Sequence, residues 1–258
     1  MTSSAPLGSL ACAAAAIFGF GLPGALALAA GPTEITACTT ITEPGSYVLV
    51  NNLSPPLPGD CIVIAADYVT IDLHGFVITG LPDKSSGSKF GIGIGTASPP
   101  PPSVADNGKR RGVTLHDGTI VGFMHGVHLQ SEDVRIQRIR SINNAGDGIV
   151  VLPCALCAEL LHGGGLVSDC DASWNGGDGI VVWGFGAVIT RNVAIENKGA
   201  GITTKRATVT ANVANNNGTF GISADCPSTV AENTADSNSS SNLDLIGAGC
   251  VAAHNAAP

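Results

Sequence analysis

A carboxylate and an imidazole lie close together in one segment of this sequence, at Glu159 and His162. Glutamate, aspartate and histidine are the side chains that most often transfer protons in general acid–base catalysis. The spacing places no second carboxylate opposite this pair, so the alternative that both are solvated loop residues stays open. These two residues are the catalytic candidates, and the sequence identifies no complete catalytic set.

Cationic and aromatic residues form a second set, with the chemistry of ligand binding. Lys109, Arg110 and Arg111 are consecutive cations in a chain whose formal net charge is −8. Trp183 and Phe185 are aromatic residues separated by one glycine. Cations attract the acidic groups of sugars, and aromatic rings offer broad apolar faces for a sugar ring. We expect these five residues to bind an extracellular or cell-wall polysaccharide, with a solvated basic turn as the alternative for the cations.

An internal repeat indicates which elements must position these residues. The segments 144–151 and 175–182 are nearly identical, reading NAGDGIVV and NGGDGIVV. Three columns of residues recur at ~21-residue intervals and share one set of steps. They are a glycine column (Gly126, Gly148, Gly179, Gly201, Gly221, then Asn242), an asparagine column (Asn144, Asn175, Asn197, Asn217, Asn238) and a mixed column (Ile139, Cys170, Asn192, Asn212, Asn233, His254).

A short period of this kind predicts a coil of strands rather than α-helices. Fragments of the repeat alternate apolar and polar residues, which is typical of half-buried strands. Stacked turns would pair equivalent strands at about 4.8 Å, so that like residues stack on like. The sequence therefore predicts an all-β fold, a single-stranded parallel β-helix of about 8–9 turns with ~21 residues each.

Three segments carry a resemblance to a known family: 41–49 (ITEPGSYVL), 61–75 (CIVIAADYVTIDLHG) and 112–123 (GVTLHDGTIVGF). Together with the repeat, they make the chain resemble the pectate-lyase-like superfamily of secreted right-handed parallel β-helix proteins. The resemblance implies a right-handed coil and a secreted protein. It implies no single activity, because that superfamily includes lyases, hydrolases, epimerases and adhesins. The Asn-Thr-Asp and Gly-His-Gly motifs of the polygalacturonase type and an Asp-Pro-His epimerase motif do not occur.

Two insertions interrupt the repeat, at about 96–111 and 152–165. Each follows a Gly-Ile strand, and these parent strands begin near Gly91 and Gly148, two turns apart. Both insertions are therefore expected to leave the coil at one corner, roughly 10 Å from each other. We call this the two-insertion corner; one turn further on it carries the Trp183–Phe185 segment. Loops on a rigid scaffold often bind ligands, so this corner is the predicted functional face, with two tolerated surface insertions as the alternative.

Charged residues immediately before the mixed column alternate in sign over four turns. They are Asp117, Arg138, Asp169 and Arg191. Stacked on successive turns, opposite charges would form an outer ladder of ion pairs, each contributing a fraction of a kcal/mol. The alternation predicts a structural role for these residues rather than a catalytic one.

Asp147 and Asp178 present the opposite case, because they are equivalent residues on adjacent turns. Two like charges would then lie about 5 Å apart unless something neutralises them. A Ca²⁺ ion that bridges both carboxylates would do so, and calcium is the one cofactor that the sequence suggests. The alternative is that each carboxylate accepts hydrogen bonds from nearby glycine N–H groups.

The eight cysteines of the sequence point to an oxidising compartment. The predicted disulfides are Cys38–Cys61, Cys154–Cys157 and Cys226–Cys250. Cys154 or Cys157 could instead pair with a distant cysteine, or join His162 and Cys170 in a small zinc module whose spacing they resemble. Cys170 lies in a column expected to face the interior, which leaves it as the unpaired thiol.

The first residues of the chain predict export. Residues 1–29 carry no charged side chain and contain a long apolar run that ends in small residues. They predict a signal peptide, with an N-terminal anchor as the alternative. Residues 30–258 are then the β-helix domain of a protein that is secreted or held in the periplasm or cell envelope.

The function predicted from these observations is that of a cell-envelope or extracellular polysaccharide-binding module without a recognisable catalytic motif. The alternative is a polysaccharide lyase or glycoside hydrolase that uses the two-insertion corner. An acidic chain without a basic stripe argues against a nucleic-acid partner, and no membrane contact beyond the leader is predicted. The last turn has no amphipathic cap, so a monomer and end-to-end association both stay open.

Overall fold

The computed structural model describes residues 31–80, 91–97, 110–152 and 163–258. These residues form strands and turns and no helix. Across these four ranges, no helix is long and apolar enough to cross a membrane. The predicted leader lies outside the described residues, as do most residues of the two predicted insertions.

The strands in the described ranges are short, and buried side chains alternate with more exposed ones along many of them. The strands are β1 (Thr33–Ile35), β2 (Thr39–Ile41), β3 (Gly45–Leu49), β4 (Ile62–Ile64), β5 (Val69–Asp72), β6 (Val77–Thr79), β7 (Ile92–Thr96), β8 (Arg110–Arg111), β9 (Thr114–Val121), β10 (His125–Glu132), β11 (Val134–Ile142), β12 (Ile149–Leu152), β13 (Gly165–Ser168), β14 (Ile180–Trp183), β15 (Val188–Thr190), β16 (Ile202–Lys205), β17 (Thr208–Thr210), β18 (Phe220–Asp225), β19 (Thr229–Ala231), β20 (Ser241–Ile246) and β21 (Val251–Ala253).

The strands build two parallel sheets that share the turns of one coil. Sheet A runs in the order β1-β3-β5-β9-β11-β13-β15-β17-β19-β21, and sheet B runs β2-β4-β7-β10-β12-β14-β16-β18-β20. Every pairing among the described strands is parallel. A narrower third face is held by single bridges, such as Asp171 to Val193. The predicted parallel coil is confirmed, while the number of turns stays a prediction.

Equivalent apolar side chains stack inside the coil and form its core. The register of sheet B places Val127, Ile149 and Ile180 on successive turns, and all three are fully buried. Burying a side chain of this size contributes about 1.5–3 kcal/mol. On the third face the core residues become smaller along the chain, from Ile120 to Ala194. The apolar core is therefore narrower in the turns whose corners contain buried asparagines.

The predicted asparagine column is a buried hydrogen-bonded ladder at the corner between the third face and sheet B. The side-chain amide of Asn175 donates to Asn197 Oδ1 at 3.1 Å, and that of Asn197 donates to Asn217 Oδ1 at 3.1 Å. The backbone N–H of Asn197 also donates to Asn217 Oδ1. The remaining amide hydrogen reaches a backbone carbonyl, as from Asn217 to Ala194 at 3.0 Å. Because these polar atoms are paired, the asparagines can be buried without a large desolvation penalty.

This ladder explains the glycine column beside it. A Cβ atom on Gly179 would lie 2.7 Å from Nδ2 of Asn197 and 2.7 Å from the carbonyl oxygen of Gly201. Both approaches are too close for any side chain. The column ends at Asn242, in the slot that the repeat assigns to it, where Asn242 Oδ1 accepts a hydrogen bond from Asn238 at 2.9 Å. An asparagine in the last glycine position thus caps the ladder.

A second ladder follows the mixed column at the corner between sheet A and the third face. The backbone N–H of Cys170 donates to Asn192 Oδ1 at 3.0 Å, and side-chain amides continue the ladder to Asn233. Asn233 then donates to Asn255 Oδ1 at 2.9 Å, so the predicted member His254 is wrong. His254 instead has the left-handed backbone, with φ of 53°, that marks the outer charged column. The last step of the mixed column runs from Asn233 to Asn255, a separation of 22 residues, which is one residue longer than the step to His254 that the repeat predicts.

The outer charged column consists of paired ions, as predicted. Arg138 Nη2 donates to Asp117 Oδ2 at 2.8 Å, and Arg191 Nη2 donates to Asp169 Oδ2 at 2.8 Å. All four residues have left-handed backbones, with φ between 53° and 63°. The hydrogen bond from Arg138 is the largest cause of the low pKa of Asp117, which is about 2. Since the guanidinium groups are about half exposed, each pair contributes little to stability.

The described cysteines have the pairing that the sequence predicts. Within the described ranges, the disulfides are Cys38–Cys61 and Cys226–Cys250. Cys170 is the free cysteine of the described ranges and is buried. Burial raises the pKa of its thiol to about 12, so it stays protonated and unreactive near neutral pH. Cys154 and Cys157 lie outside the described residues, and their pairing stays a prediction.

Replacing a ladder asparagine should destabilise the coil far more than replacing its exposed neighbour. Asn217→Ala leaves the two N–H groups of Asn197 and the carbonyl of Ala194 without their partners. Because each unpaired buried group costs about 1–3 kcal/mol, we expect the free energy of unfolding to fall by roughly 3 kcal/mol or more. Urea denaturation followed by circular dichroism measures this change.

The matched control for that experiment is Asn216→Ala. Asn216 is exposed and has φ of 56°, a conformation that Ala211 adopts elsewhere in the coil with φ of 57°. The expected loss is below about 1 kcal/mol, as for most exposed positions. Equal losses at the two positions would contradict the structural role of the ladder.

Candidate functional site

The two predicted insertions follow strands on either side of β10 in sheet B. Both β7 and β12 pair with β10, so their ends lie two strand spacings apart, or about 10 Å. The strands that precede the two insertions therefore lie two turns apart on one sheet, while the course of the insertions themselves stays a prediction. One detail of the predicted register is wrong: Ile94 pairs with Val127, which makes Gly93 rather than Gly91 the equivalent of Gly126.

The predicted bounds of the insertions are too wide at the residues that the structure describes. Thr96 belongs to β7, and Arg110 and Arg111 form β8, which pairs with β10. At the second insertion, Leu152 belongs to β12 and Gly165 to β13. The backbone ladder thus extends further into these segments than their composition suggested, because main-chain hydrogen bonds do not depend on apolar side chains.

Trp183 and Phe185 lie at the same edge of sheet B, and Trp183 occupies the position next to Leu152 on the following turn. The side chain of Trp183 is 41% exposed. The ammonium of Lys205 lies 4.7 Å from the centroid of its ring, and the guanidinium of Arg206 lies 4.4 Å from that of Phe185. Two successive turns therefore present two cation–aromatic contacts at the two-insertion corner.

The basic residues predicted to assist these aromatics lie further along the same edge. Arg111 forms an ion pair with Glu132, with 3.3 Å between Nε and Oε2. From β8 to the strand of Trp183 there are three strand spacings, or about 14 Å, so the two groups share an edge without contact. Three predicted site residues lie outside the described residues, and their roles stay predictions: Lys109, Glu159 and His162.

The outer face of sheet B carries a histidine pair beside a carboxylate, on the strand between the two insertions. The rings of His125 and His128 lie 5.4 Å apart and nearly perpendicular. Nδ1 of His125 lies 3.4 Å from Asp147 Oδ2 and 3.2 Å from the backbone nitrogen of Asp147. Nδ1 of His128 is buried and has no hydrogen-bond partner within the described ranges. We call these three residues the sheet-B cluster.

The surroundings of the sheet-B cluster lower the pKa of two of its members, His128 and Asp147. Burial lowers the pKa of His128 and the neighbouring His125 lowers it further, against the opposing effect of Asp147. Burial by itself would raise the pKa of Asp147, but hydrogen bonds from His125 and from the N–H of Asp178 make the net shift downward. The cluster thus holds a neutral imidazole near an ionised carboxylate, an arrangement suited to proton transfer.

Asp147 and Asp178, the predicted calcium ligands, stack on adjacent turns. Asp147 Oδ1 accepts the N–H of Asp178 at 2.8 Å, and Asp178 Oδ1 accepts the N–H of Ala200 at 2.7 Å. Asp178 Oδ2 also accepts the hydroxyl of Thr203 at 3.0 Å. Each carboxylate therefore receives donors from the next turn, although these are not the glycine N–H groups of the alternative interpretation. A calcium ion between them stays a prediction.

Sequence reasoning did not identify His125 and His128. The register contained a signal for His125, which precedes Gly126 as Asp147 precedes Gly148. His128 had no such signal, because a three-residue spacing on a regular strand places side chains on opposite faces. In the structure the alternation of burial is interrupted after Gly126, and both histidines stay half-buried.

Comparison with protein families shows a match over most of the chain. A family model described as "Right handed beta helix region" matches residues 104–257. A comparison with curated protein sequences gave no match.

Solved structures share the fold at low sequence identity. The A-module of mannuronan C-5 epimerase AlgE6 from Azotobacter vinelandii has a TM-score of 0.50 and 16% identity, covering 83% of this chain and 68% of that chain. The A-module of AlgE4 from the same organism has a TM-score of 0.49 and 16% identity, with 82% and 68% covered. Tailspike protein 2 of Escherichia coli O157:H7 bacteriophage CAB120 has a TM-score of 0.49 and 14% identity, with 86% and 38% covered. At these identities the likeness concerns the fold alone.

Proposed function

We propose that this chain, which belongs to the right handed beta helix family, is an exported protein that binds polysaccharide at the two-insertion corner. The observation that carries the proposal is the pair of contacts between Trp183 and Lys205 and between Phe185 and Arg206. They lie on the edge of sheet B from which both insertions depart. The family match also confirms the right-handed parallel β-helix of the pectate-lyase-like superfamily.

Each contact combines the two groups that an acidic sugar can use. A sugar ring can pack its C–H face on an aromatic ring, while its carboxylate or sulfate pairs with the adjacent cation. Lys205 Nζ also lies 3.2 Å from Asp225 Oδ2. This ion pair holds the ammonium near the tryptophan ring, and the side chains of Lys205 and Trp183 both stay partly exposed. Turns repeat at about 4.8 Å along the coil, and sugar units repeat on a similar scale. A linear glycan lying along the stack could therefore contact several turns in succession.

The cysteines support export. Disulfides such as Cys38–Cys61 and Cys226–Cys250 persist in oxidising compartments and are rare in the cytosol. The apolar leader predicted at residues 1–29 is the matching sequence signal. Both features are consistent with a secreted or cell-envelope protein, where polysaccharide is an available ligand.

Trp183→Ala should weaken the binding of an acidic polysaccharide about 5- to 10-fold, because one aromatic contact contributes roughly 1 kcal/mol. Mannuronan oligomers are the first ligand to test, since a mannuronan epimerase module shares the fold. Titration calorimetry measures Kd. The matched control is Trp174→Ala, which removes a tryptophan that is 53% exposed at another corner and should leave Kd unchanged.

Two outcomes of this experiment would count against the proposal. Equal losses for both tryptophan variants would place the binding surface elsewhere on the coil. If the wild-type chain bound none of a panel of acidic and neutral polysaccharides, the binding function itself would be contradicted.

One observation favours a polysaccharide-active enzyme as the second candidate function. The sheet-B cluster adjoins the two-insertion corner and contains a half-buried imidazole that is neutral at neutral pH. Such a group can remove the proton next to the carboxylate of a uronate, which is the first step of a lyase reaction. His128 lies on β10, two strands from the strand of Trp183 in sheet B.

If the chain is a lyase, it should release unsaturated, ultraviolet-absorbing sugars from polyuronates. His128→Ala should lower kcat at least about 100-fold, the usual contribution of a general base. The rate should rise with pH through the lowered pKa of His128 and then level off, because the base must be neutral. His254→Ala, which removes an exposed histidine, is the control and should not change kcat. Binding without unsaturated products or new reducing ends across the panel would rule out a lyase or hydrolase for those glycans.

A further inference from the structure

A second cluster of ionisable side chains lies on the outer face of sheet A, apart from the proposed binding surface. Asp72 on β5 and His116 on β9 are direct neighbours across the parallel ladder. Asp117 follows His116, and its left-handed backbone, with φ of 63°, ends the regular alternation of the strand. Nδ1 of His116 lies 2.8 Å from Asp117 Oδ2 and 3.5 Å from Asp72 Oδ1. We call these three residues the sheet-A cluster.

The sheet-A cluster has the donor set and the spacing of a metal site. One imidazole nitrogen and two carboxylate oxygens lie within 4.8 Å of one another. In a tetrahedral zinc site with bonds of 2.0–2.1 Å, neighbouring ligand atoms are about 3.3 Å apart. The two measured distances to His116 Nδ1, 2.8 Å and 3.5 Å, lie on either side of that value. A small movement of the side chains would therefore place all three atoms around one ion.

The neighbouring charged groups help to hold this geometry. Arg138 donates to both carboxylate oxygens of Asp117 from the next turn and orients that carboxylate, as an outer partner of a metal ligand often does. His74 is 68% exposed, and its Nδ1 lies 3.7 Å from Asp72 Oδ2, at the outer side of the cluster. The side chains of Asp72 and His116 are themselves only 33% and 24% exposed. The three side chains of the cluster are thus partly buried and partly accessible to solvent.

We propose that Asp72, His116 and Asp117 bind a divalent metal ion of the zinc class. An imidazole ligand favours zinc or cobalt over calcium and magnesium, which prefer oxygen alone. Coordination by Nδ1 requires that this nitrogen carry no proton, so the neutral ring of His116 would bind the ion with its proton on Nε2. The ion would join two successive turns whose ligands are separated by the long segment 73–115. It would act as a cross-link there, much as a disulfide does.

This proposal is independent of polysaccharide binding, because the sheet-A cluster and the two-insertion corner use different sheets. Its alternative is a network of polar contacts in which His116 simply lies between the two carboxylates. Such a network would need no metal, and added zinc would leave the folded state unchanged.

Zinc binding to the full chain distinguishes the two. After treatment with a chelator and dialysis, the wild-type chain should bind one more equivalent of Zn²⁺ than His116→Gln, as measured by calorimetry and by metal analysis. The control His254→Gln removes an exposed histidine at the far end of the coil and should bind as the wild type does. Equal zinc stoichiometry and affinity in the wild type and His116→Gln would overturn the proposal.

A second measurement separates this site from cysteine ligands and from loss of folding. Co²⁺ bound to nitrogen and oxygen gives weak visible bands, whereas cysteine thiolates add strong charge-transfer absorption in the near ultraviolet. In His116→Gln we expect the weak bands to disappear, while any strong thiolate absorption stays unchanged. The rise of several degrees in Tm that zinc causes in the wild type should disappear as well. Circular dichroism establishes whether His116→Gln is folded. If it is not folded, Asp72→Asn is measured in its place. A folded Asp72→Asn chain that kept both the cobalt spectrum and the Tm shift would equally overturn the proposal.

Discussion

The stacked asparagine amides are the interaction on which the rest of this coil depends. Each buried amide must find the amide of the next turn at about 3 Å, so successive turns cannot slip relative to one another. A shift by one residue would leave buried amide groups unpaired and would turn the apolar side of every strand outward. The glycine column follows from the same constraint, because a Cβ at Gly179 would meet the amide of Asn197. The end of the glycine column follows from the same constraint, because Asn242 Oδ1 accepts the hydrogen bond of the last ladder amide, that of Asn238.

The ladders also decide where the chain can vary. From Asn144 onward they occupy the two corners that flank the third face, where an extra residue would break several hydrogen bonds at once. Among the described residues, the corner between sheet B and sheet A carries no asparagine ladder, and it follows Leu152, the last described residue of β12. Trp183 and Lys205 project at the same corner, where their side chains are not required for the stacking of turns. The positions that are free to carry a binding function are therefore the ones that the ladders do not use.

The same reasoning explains how much could be predicted from the sequence. The steps of the asparagine and glycine columns were sufficient for the parallel register, the ion ladder at Asp117 and Arg138, and the buried thiol of Cys170, because stacked equivalents repeat visibly. A constant step was the weak assumption: it placed His254 where the structure has Asn255. Asp72 and His116 were hidden for a related reason, since the segments between β6 and β9 obscure the period before Gly126. Which side chains meet across the ladder there follows only from the paired backbone.

The two histidine clusters show how one scaffold can give the same residue types opposite chemistry. On sheet A, His116 Nδ1 lies 2.8 Å from an oxygen of Asp117 and 3.5 Å from an oxygen of Asp72, and the three groups together form the donor set of the proposed metal site. On sheet B, burial and a second imidazole both lower the pKa of His128, and the one carboxylate nearby is engaged by His125. The same residue types thus form a candidate metal site on one face and hold a neutral imidazole on the other. Because the strand ladder sets which residue lies above which, this difference depends on the residues of adjacent turns rather than on any loop, and both faces can hold their geometry without a ligand.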